Sequence, residues 1–142
     1  MLSLAIIVKN EAHYLRRVLS NIKDFVDEIV VVDTGSTDNT KEVAKKFNAT
    51  IFDYKWKNDF ASARNFSFSK CKGDWILWLD ADDVVENPEK IKQVIQKNST
   101  LDAIMAKYNY EFDQDGNVVI VHWKERVIKN NNSHKWMGKI HE

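Results

Sequence analysis

A chain of 142 residues, 44% hydrophobic and 30% charged, has room for one domain with a real core. Its 21 basic and 21 acidic side chains cancel, which removes the global positive field that holds a nucleic-acid backbone, so no nucleic-acid partner is expected. Four glycines and one proline leave no linker tract, and the lone Cys71 cannot close an intrachain disulfide, which suits a reducing, cytoplasmic setting.

The apolar start "MLSLAIIV" is too short for a membrane span or an ordinary signal peptide, and no transmembrane segment is expected in the chain. Leu2 to Val8 forms a continuous apolar run, the pattern of a strand buried on both faces. A helical pattern follows in "EAHYLRRVLSNIKDF", with Leu15, Val18, Leu19 and Ile22 on one face. Glu28 to Asp33, "EIVVVD", is a second buried strand. In "GSTDNTKEVAKKF" the residues Ser36, Thr37, Asp38 and Asn39 can all cap a helix that runs to about Phe47.

"TIFDY" is a third strand, "DFASARNFSFSKC" a helix and "DWILWLD" a fourth strand. "NPEKIKQVIQKN" begins another helix, with Pro88 suited to its first turn. This strand–helix alternation predicts a mainly parallel sheet with helices on both faces. After about Leu101 the texture changes. "DAIMAKYNYEF" and "NVVIVHWKERVI" are strand-like runs around the turn signal "DQDG", which predicts an antiparallel extension. "SHKWMGKIHE" is a further strand or a loop.

The polar residues fall at the strand ends. Asn10 and Glu11 follow the first strand, Asp33 closes the second and Asp80 the fourth. In an open parallel sheet these carboxyl ends share one edge, where ligands bind in a crevice. In "WILWLDADDVV" three aspartates follow an apolar strand within four positions. Two carboxylates about 4 Å apart repel by about 1 kcal/mol in water and about 4 kcal/mol near a protein surface. Either they are solvated, or positive charge sits among them. On an extended chain Asp80 and Asp82 share a face and Asp83 points away. Such a pair suits Mg²⁺, which takes one or two carboxylates and completes its shell with water and substrate phosphates.

Other phosphoryl-handling α/β proteins also carry acids at strand ends. A response-regulator receiver wants an acidic pair after the first strand and a lone aspartate after the third, whereas here those strands end in "KNE" and "DY". Neither a Gly-x-x-x-x-Gly-Lys-Ser/Thr loop nor a Gly-x-Gly-x-x-Gly turn occurs.

"AIIVKNEAHYLRRVLSNI", "DEIVVVDTGSTDNTKEVAKKF", "NDFASARNFSFSKCKGDWILWLDADD" and "KWMGKIHE" together resemble the family-2 glycosyltransferases of GT-A fold. The resemblance is closest to the bacterial branch in which "VKNE", "DTGSTD", "ARN" and "LDADD" occur in that order, and it spans nearly the whole chain. It implies a Rossmann-like GT-A domain over residues 1–142, truncated at its C-terminal end. It also implies a nucleoside-diphosphate-sugar donor, UDP-linked by expectation, with Mg²⁺ or Mn²⁺ bridging the acidic motif and the diphosphate. By that analogy Val8, Asn10 and Glu11 lie along the nucleoside, and Asp33 accepts a hydrogen bond from the base. Gly35, Ser36 and Asp38 shape the next turn, and Arg64 sits near base or diphosphate. Asp80 contacts the ribose or a metal-bound water, with Ala81 beside it in the donor site, and Asp82 is the main metal ligand.

Family membership further implies an inverting transfer to an acceptor hydroxyl or similar nucleophile on a saccharide, lipid-linked or peptide acceptor. It places Glu142 as general base and His141 near the metal or diphosphate. A donor-binding module without transferase activity is the alternative from another class. A nucleotidyltransferase ranks third, because "VKNEAHYL" lacks the glycine-rich loop it needs. Trp75 and Trp78 are expected in the core, and Trp136 is expected to pack rather than to stack on a sugar.

Overall fold

The structure is a computed structural model, and it describes residues 1–140. Six strands form one sheet: β1 (Leu2–Val8), β2 (Glu28–Asp33), β3 (Thr50–Asp53), β4 (Trp75–Trp78), β5 (Ala103–Phe112) and β6 (Val118–Lys129). Four helices connect them: α1 (Ala12–Ile22), α2 (Thr40–Lys46), α3 (Phe60–Lys70) and α4 (Ile91–Lys97), the last entered through a 3₁₀ turn at Pro88–Lys90. The sheet order is β3-β2-β1-β4-β6-β5. β3, β2, β1 and β4 run parallel, whereas β6 joins β4 antiparallel and β5 pairs with β6 as a hairpin. The doubly wound front half and the antiparallel extension are both as the periodicity predicts.

Burial explains the strand sequences. β1 is buried nearly throughout because helices cover both of its faces, so its side chains have no wet side to alternate towards. On one face, Leu15, Val18, Leu19 and Ile22 of α1 and Val43 and Ala44 of α2 pack on Leu4, Ile6, Val31 and Leu77, with Ile91 and Ile95 of α4 alongside. Each such aliphatic side chain contributes about 1.5–3 kcal/mol on full burial. On the other face, Phe66 and Phe68 of α3, with Trp136 of the C-terminal segment, cover Ala5, Val30, Val32, Ile76, Trp78 and Ile128. Trp75 and Trp78 are both buried, as expected for core residues. The "SHKWMGKI" segment is irregular, not a strand. Among the described residues no helix is long and apolar enough to cross a membrane.

The topology makes the crevice. From β1 the chain winds outward through β2 to β3, then returns to lay β4 on the opposite side of β1. The chain after β1 leads to α1 and the chain after β4 leads to α4 on the same face, while α3 covers the other, and the crevice lies at the carboxyl edge beside β1 and β4. β4 pairs with β6 only over Trp75–Leu77 and Val127–Lys129, and the rest of the hairpin continues past the end of β4.

At the opposite edge of the sheet the backbone is tight. Gly73 donates its N–H to Ser3 Oγ at 2.8 Å, and a Cβ at this position would lie 2.6 Å from that oxygen and 2.8 Å from both Met1 O and Ser3 N. Two of those three neighbours are backbone, so the start of β1 would have to move. Gly73→Ala should lower stability by about 1–3 kcal/mol, the usual cost of overpacking, read from the urea midpoint. An unchanged midpoint would mean that the start of β1 yields freely.

Candidate active site

Two loops at the carboxyl edge are bonded into one unit. Asn10 sits in the left-handed region (φ 54°), which asparagine tolerates, and this turns the chain out of β1. Its N–H donates to Ser36 Oγ at 2.8 Å, and its side-chain oxygen accepts from Thr37 N at 2.7 Å and Asp38 N at 3.3 Å. The Glu11 N–H donates to Thr40 Oγ1 at 3.0 Å, and the Ala12 N–H to Asp38 Oδ2 at 3.3 Å. The Val8 carbonyl accepts from both the N–H and the hydroxyl of Thr34, at 2.9 and 3.0 Å. The sequence offered Ser36 and Asp38 as helix caps. Asn39 occupies the position before α2 and makes no side-chain cap; Ser36 bonds the neighbouring loop, and Asp38 does both, its Oδ1 accepting from Thr40 N at 3.0 Å at the start of α2 and its Oδ2 from the neighbouring loop. The Thr40 hydroxyl holds the Asp38 carboxyl below its ordinary range.

Asp33 lies beneath this unit, 1% exposed. Its Oδ1 accepts from Gly35 N at 2.9 Å and Ser36 N at 2.8 Å, across a turn that Gly35 can make because its φ is 111°. Its Oδ2 is buried with no hydrogen-bond partner. Such an acceptor costs about 1–3 kcal/mol if nothing ever satisfies it. Close by, a cavity of about 230 Å³ is lined by Val8, Glu11, Thr34, Trp56 and Phe60. The Trp56 and Phe60 rings there meet edge to face at 4.9 Å.

The acidic segment after β4 is a turn and not an extended strand, which corrects the alternation expected for it. The Asp83 N–H donates to Asp80 O at 3.1 Å, and Asp83 Oδ2 accepts from Asp80 N at 2.8 Å. Asp83, expected to face away, is thereby folded inward and buried. Two arginines meet the turn. Arg64 of α3 donates to Asp80 Oδ1 at 2.8 Å. Arg126 of β6 lies 3.0 Å from Asp83 Oδ2 and 3.8 Å from Asp80 Oδ2. Both guanidinium carbons stand over the Trp78 ring, at 4.4 Å for Arg64 and 4.1 Å for Arg126. Burial pushes the Asp83 carboxyl up, against the pull of Arg126. Removing one partner of such a buried pair typically costs about 3–5 kcal/mol.

Asp82 is different: among the described residues its carboxylate takes no ion pair or hydrogen bond, and only its backbone carbonyl is held, by Arg17. Glu11 faces it across the crevice. Burial first, then Asp82, Asp80 and Asp38, raise the Glu11 carboxyl above its ordinary value. Excess negative charge thus remains on the Asp82 side after the arginines have neutralised the rest. Among the described residues no group of three or more His, Cys, Asp or Glu side chains is arranged around a metal position. A divalent cation here would lean on one or two carboxylates and take its other ligands from substrate and water, as Mg²⁺ does.

On the other side of Asp80 a cavity of about 520 Å³ is lined by Phe60, Arg64, Trp78, Asp80, Lys124, Glu125, Trp136 and Ile140. Trp136 packs edge-on against Trp78 at 4.8 Å, so it does pack, yet it also forms this wall. Its indole Nε1 is buried without a partner.

The structure therefore brings Val8, Asn10, Glu11, Asp33, Gly35, Ser36, Asp38, Arg64, Asp80, Ala81 and Asp82 to one edge of the sheet. His141 and Glu142 lie outside the described residues. Sequence reasoning missed Arg126 and the inward role of Asp83. An arginine beside the buried Val127 and Ile128 was the available signal, because a buried arginine needs an acid. Cys71 offers no nucleophile, since burial pushes its thiol up to about 12.

Residues 3–142 match the family model described as Glycosyl transferase family 2. The SPbeta prophage-derived glycosyltransferase SunS of Bacillus subtilis is 34% identical over 143 residues, covering 96% of this chain and 33% of that protein. A TPR repeat-containing protein of Synechococcus elongatus is 47% identical over 81 residues, 57% of this chain and 20% of its own length. The chain thus spans a third or less of these two relatives. Among solved structures, S. aureus TarS 1-349 matches with a TM-score of 0.60 at 22% identity, over 84% of this chain and 38% of that one. Glucosyl-3-phosphoglycerate synthase from Mycobacterium tuberculosis, in complex with Mn²⁺ and UDP-glucose, matches with a TM-score of 0.57 at 22% identity, over 68% of this chain and 38% of that one. At such identities the two structures speak for the fold.

The Glu11 shift has a consequence for stability. A carboxyl raised in the folded state binds its proton more tightly there than in the unfolded chain. Its contribution is full below the ordinary value of 4.5 and is lost as pH rises through the raised one. Glu11→Gln should therefore gain stability over the parent chain at pH 7, with the gain shrinking towards pH 4 in paired denaturant titrations. A gain independent of pH would overturn the electrostatic origin.

Proposed function

The chain belongs to glycosyl transferase family 2, and on that premise we propose that it is the donor-binding part of a metal-dependent, inverting glycosyltransferase. In this reading the protein moves a sugar from a UDP-linked donor to an acceptor hydroxyl or similar nucleophile. The observation that carries it is the division of labour in the acidic turn: Asp80 and Asp83 are held by arginines, and the Asp82 carboxylate makes no ion pair among the described residues, Arg17 reaching only its backbone carbonyl. The M. tuberculosis neighbour of the same fold was solved with Mn²⁺ and UDP-glucose, which favours the same donor class here.

The residues fit each part of such a donor. Asp33, with its second oxygen buried and unpartnered, would accept from the imide N–H of uracil beneath the Trp56 and Phe60 rings. Asn10, Ser36 and Asp38 fix the two loops through hydrogen bonds to each other, so the nucleoside meets a pre-formed edge and little ordering remains to be done on binding. Arg64 and Asp80, locked as a pair over Trp78, would face the ribose and sugar hydroxyls with a donor and an acceptor side by side. A divalent cation on Asp82 would supply neutralisation of the charge that builds on the departing diphosphate. Inversion requires the acceptor oxygen to attack opposite the leaving group, and its proton to pass to a base, the role given to Glu142.

Calorimetric titration of UDP should show binding with Mn²⁺ that EDTA removes, and Asp82→Asn should weaken it by about tenfold or more. Absence of metal-dependent binding by any nucleoside diphosphate would overturn the reading, and binding of GDP in place of UDP would overturn the uracil assignment. In the full-length protein Glu142→Gln should nearly abolish transfer while leaving UDP affinity unchanged. An active variant would take the base role from this residue. Binding without turnover in the unaltered full-length protein, across varied acceptors, would favour a donor-binding module.

A further inference from the structure

Arg126 reaches the acidic turn from β6, a strand of the antiparallel hairpin rather than of the parallel sheet that carries the rest of the crevice. It is 4% exposed, stands over Trp78 and lies 5.0 Å from the Tyr108 ring of β5. Its Nη1 donates to the Trp78 carbonyl at 3.4 Å and lies within ion-pair distance of two carboxylate oxygens, Asp83 Oδ2 at 3.0 Å and Asp80 Oδ2 at 3.8 Å. Its Nη2 is buried with no partner. A buried ion pair that also leaves a donor unsatisfied is a poor device for stability, because an apolar pair of equal volume holds a fold as well or better. The arrangement makes better sense as a means of fixing a shape.

The shape in question is the turn from Asp80 to Asp83. Asp83 closes it by accepting from Asp80 N, and Arg126 holds Asp83 in that position while sharing Asp80 with Arg64. With both flanking carboxylates claimed, Asp82 is presented to the crevice.

We propose that Arg126 is a positioning residue for the transfer reaction: through Asp83 and Asp80 it sets the conformation in which Asp82 meets the donor's metal-bound diphosphate. The inference rests on the donor-binding reading above and extends it to a residue outside the set given donor contacts there.

The test uses the full-length protein, with Mn²⁺ titrated at fixed UDP and thermal melts run in parallel. Arg126→Met combined with Asp83→Asn removes the buried pair without leaving either charge stranded. Its Mn²⁺-dependent UDP affinity should fall by about tenfold or more, the loss typical when an outer partner of a metal ligand is removed. Arg126→Lys keeps the charge but loses the fork and should show an intermediate loss. Either variant is informative alone should the other fail to fold. Wild-type affinity in a variant that melts lower would assign Arg126 to stability and overturn the inference, leaving donor binding intact. A parent protein whose UDP binding ignores Mn²⁺ would overturn the donor reading, and this inference with it.

Discussion

The site depends on how negative charge is arranged after β4. Four carboxylates converge there, from Glu11, Asp80, Asp82 and Asp83, and at the effective dielectric near a protein surface each close pair costs about 4 kcal/mol at 4 Å. Solvation alone does not relieve that, because Asp83 is buried and burial itself raises its carboxyl. The chain answers with two guanidinium groups, both stacked over Trp78, which gives them a low-dielectric seat where their charge acts strongly. The compensation is partial. It satisfies Asp80 and Asp83 and leaves the Asp82–Glu11 side negative, an attractive position for a cation brought with a diphosphate.

A second constraint shapes the nucleoside side. The loops after β1 and β2 carry few apolar residues, and nothing in propensity alone would hold them still. Their order comes from reciprocal hydrogen bonds in which Asn10 gives a backbone donor and a side-chain acceptor to the neighbouring loop, while Ser36 and Asp38 answer from the other side. Each bond is worth about 0.5–1.5 kcal/mol net. Their collective effect is to keep Asp33 enclosed, with one oxygen used by the turn and the other held in reserve.

Much of this was legible in the sequence. The unbroken apolar runs of β1, β2 and β4 mark strands covered on both faces, and the spacing of Leu15, Val18, Leu19 and Ile22 marks the buried side of α1. Strand ends rich in Asn, Glu and Asp mark the crevice. What failed was local geometry. Period-two alternation holds only while the chain stays extended, and "LDADD" turns at once, so Asp83 was assigned to the wrong side. Ser36 looks like a cap because its oxygen can serve either a helix end or a neighbouring loop, and tertiary contact decides for the loop, whereas Asp38 serves both with its two oxygens. Arg126 was hidden for a different reason: its acid lies on another element, and a pairing across the sheet leaves no periodic trace.

The antiparallel hairpin then has a physical reason to be where it is. The parallel half brings acids and small polar groups to the carboxyl edge and, through Arg64 of α3, one cation onto Asp80, whereas the inward-folded Asp83 takes its cation from β6. A strand running the other way beside β4 passes the end of β4 from above and can lower an arginine onto the turn. It also carries Lys124 and Glu125 into the wall of the cavity shared by Arg64, Asp80 and Trp136. The parallel half therefore supplies the negative crevice, the nucleoside edge and Arg64, while the hairpin supplies a second fixed cation and part of the wall beyond it. A change in the hairpin can alter how the acidic turn presents Asp82 without touching any residue of the parallel sheet.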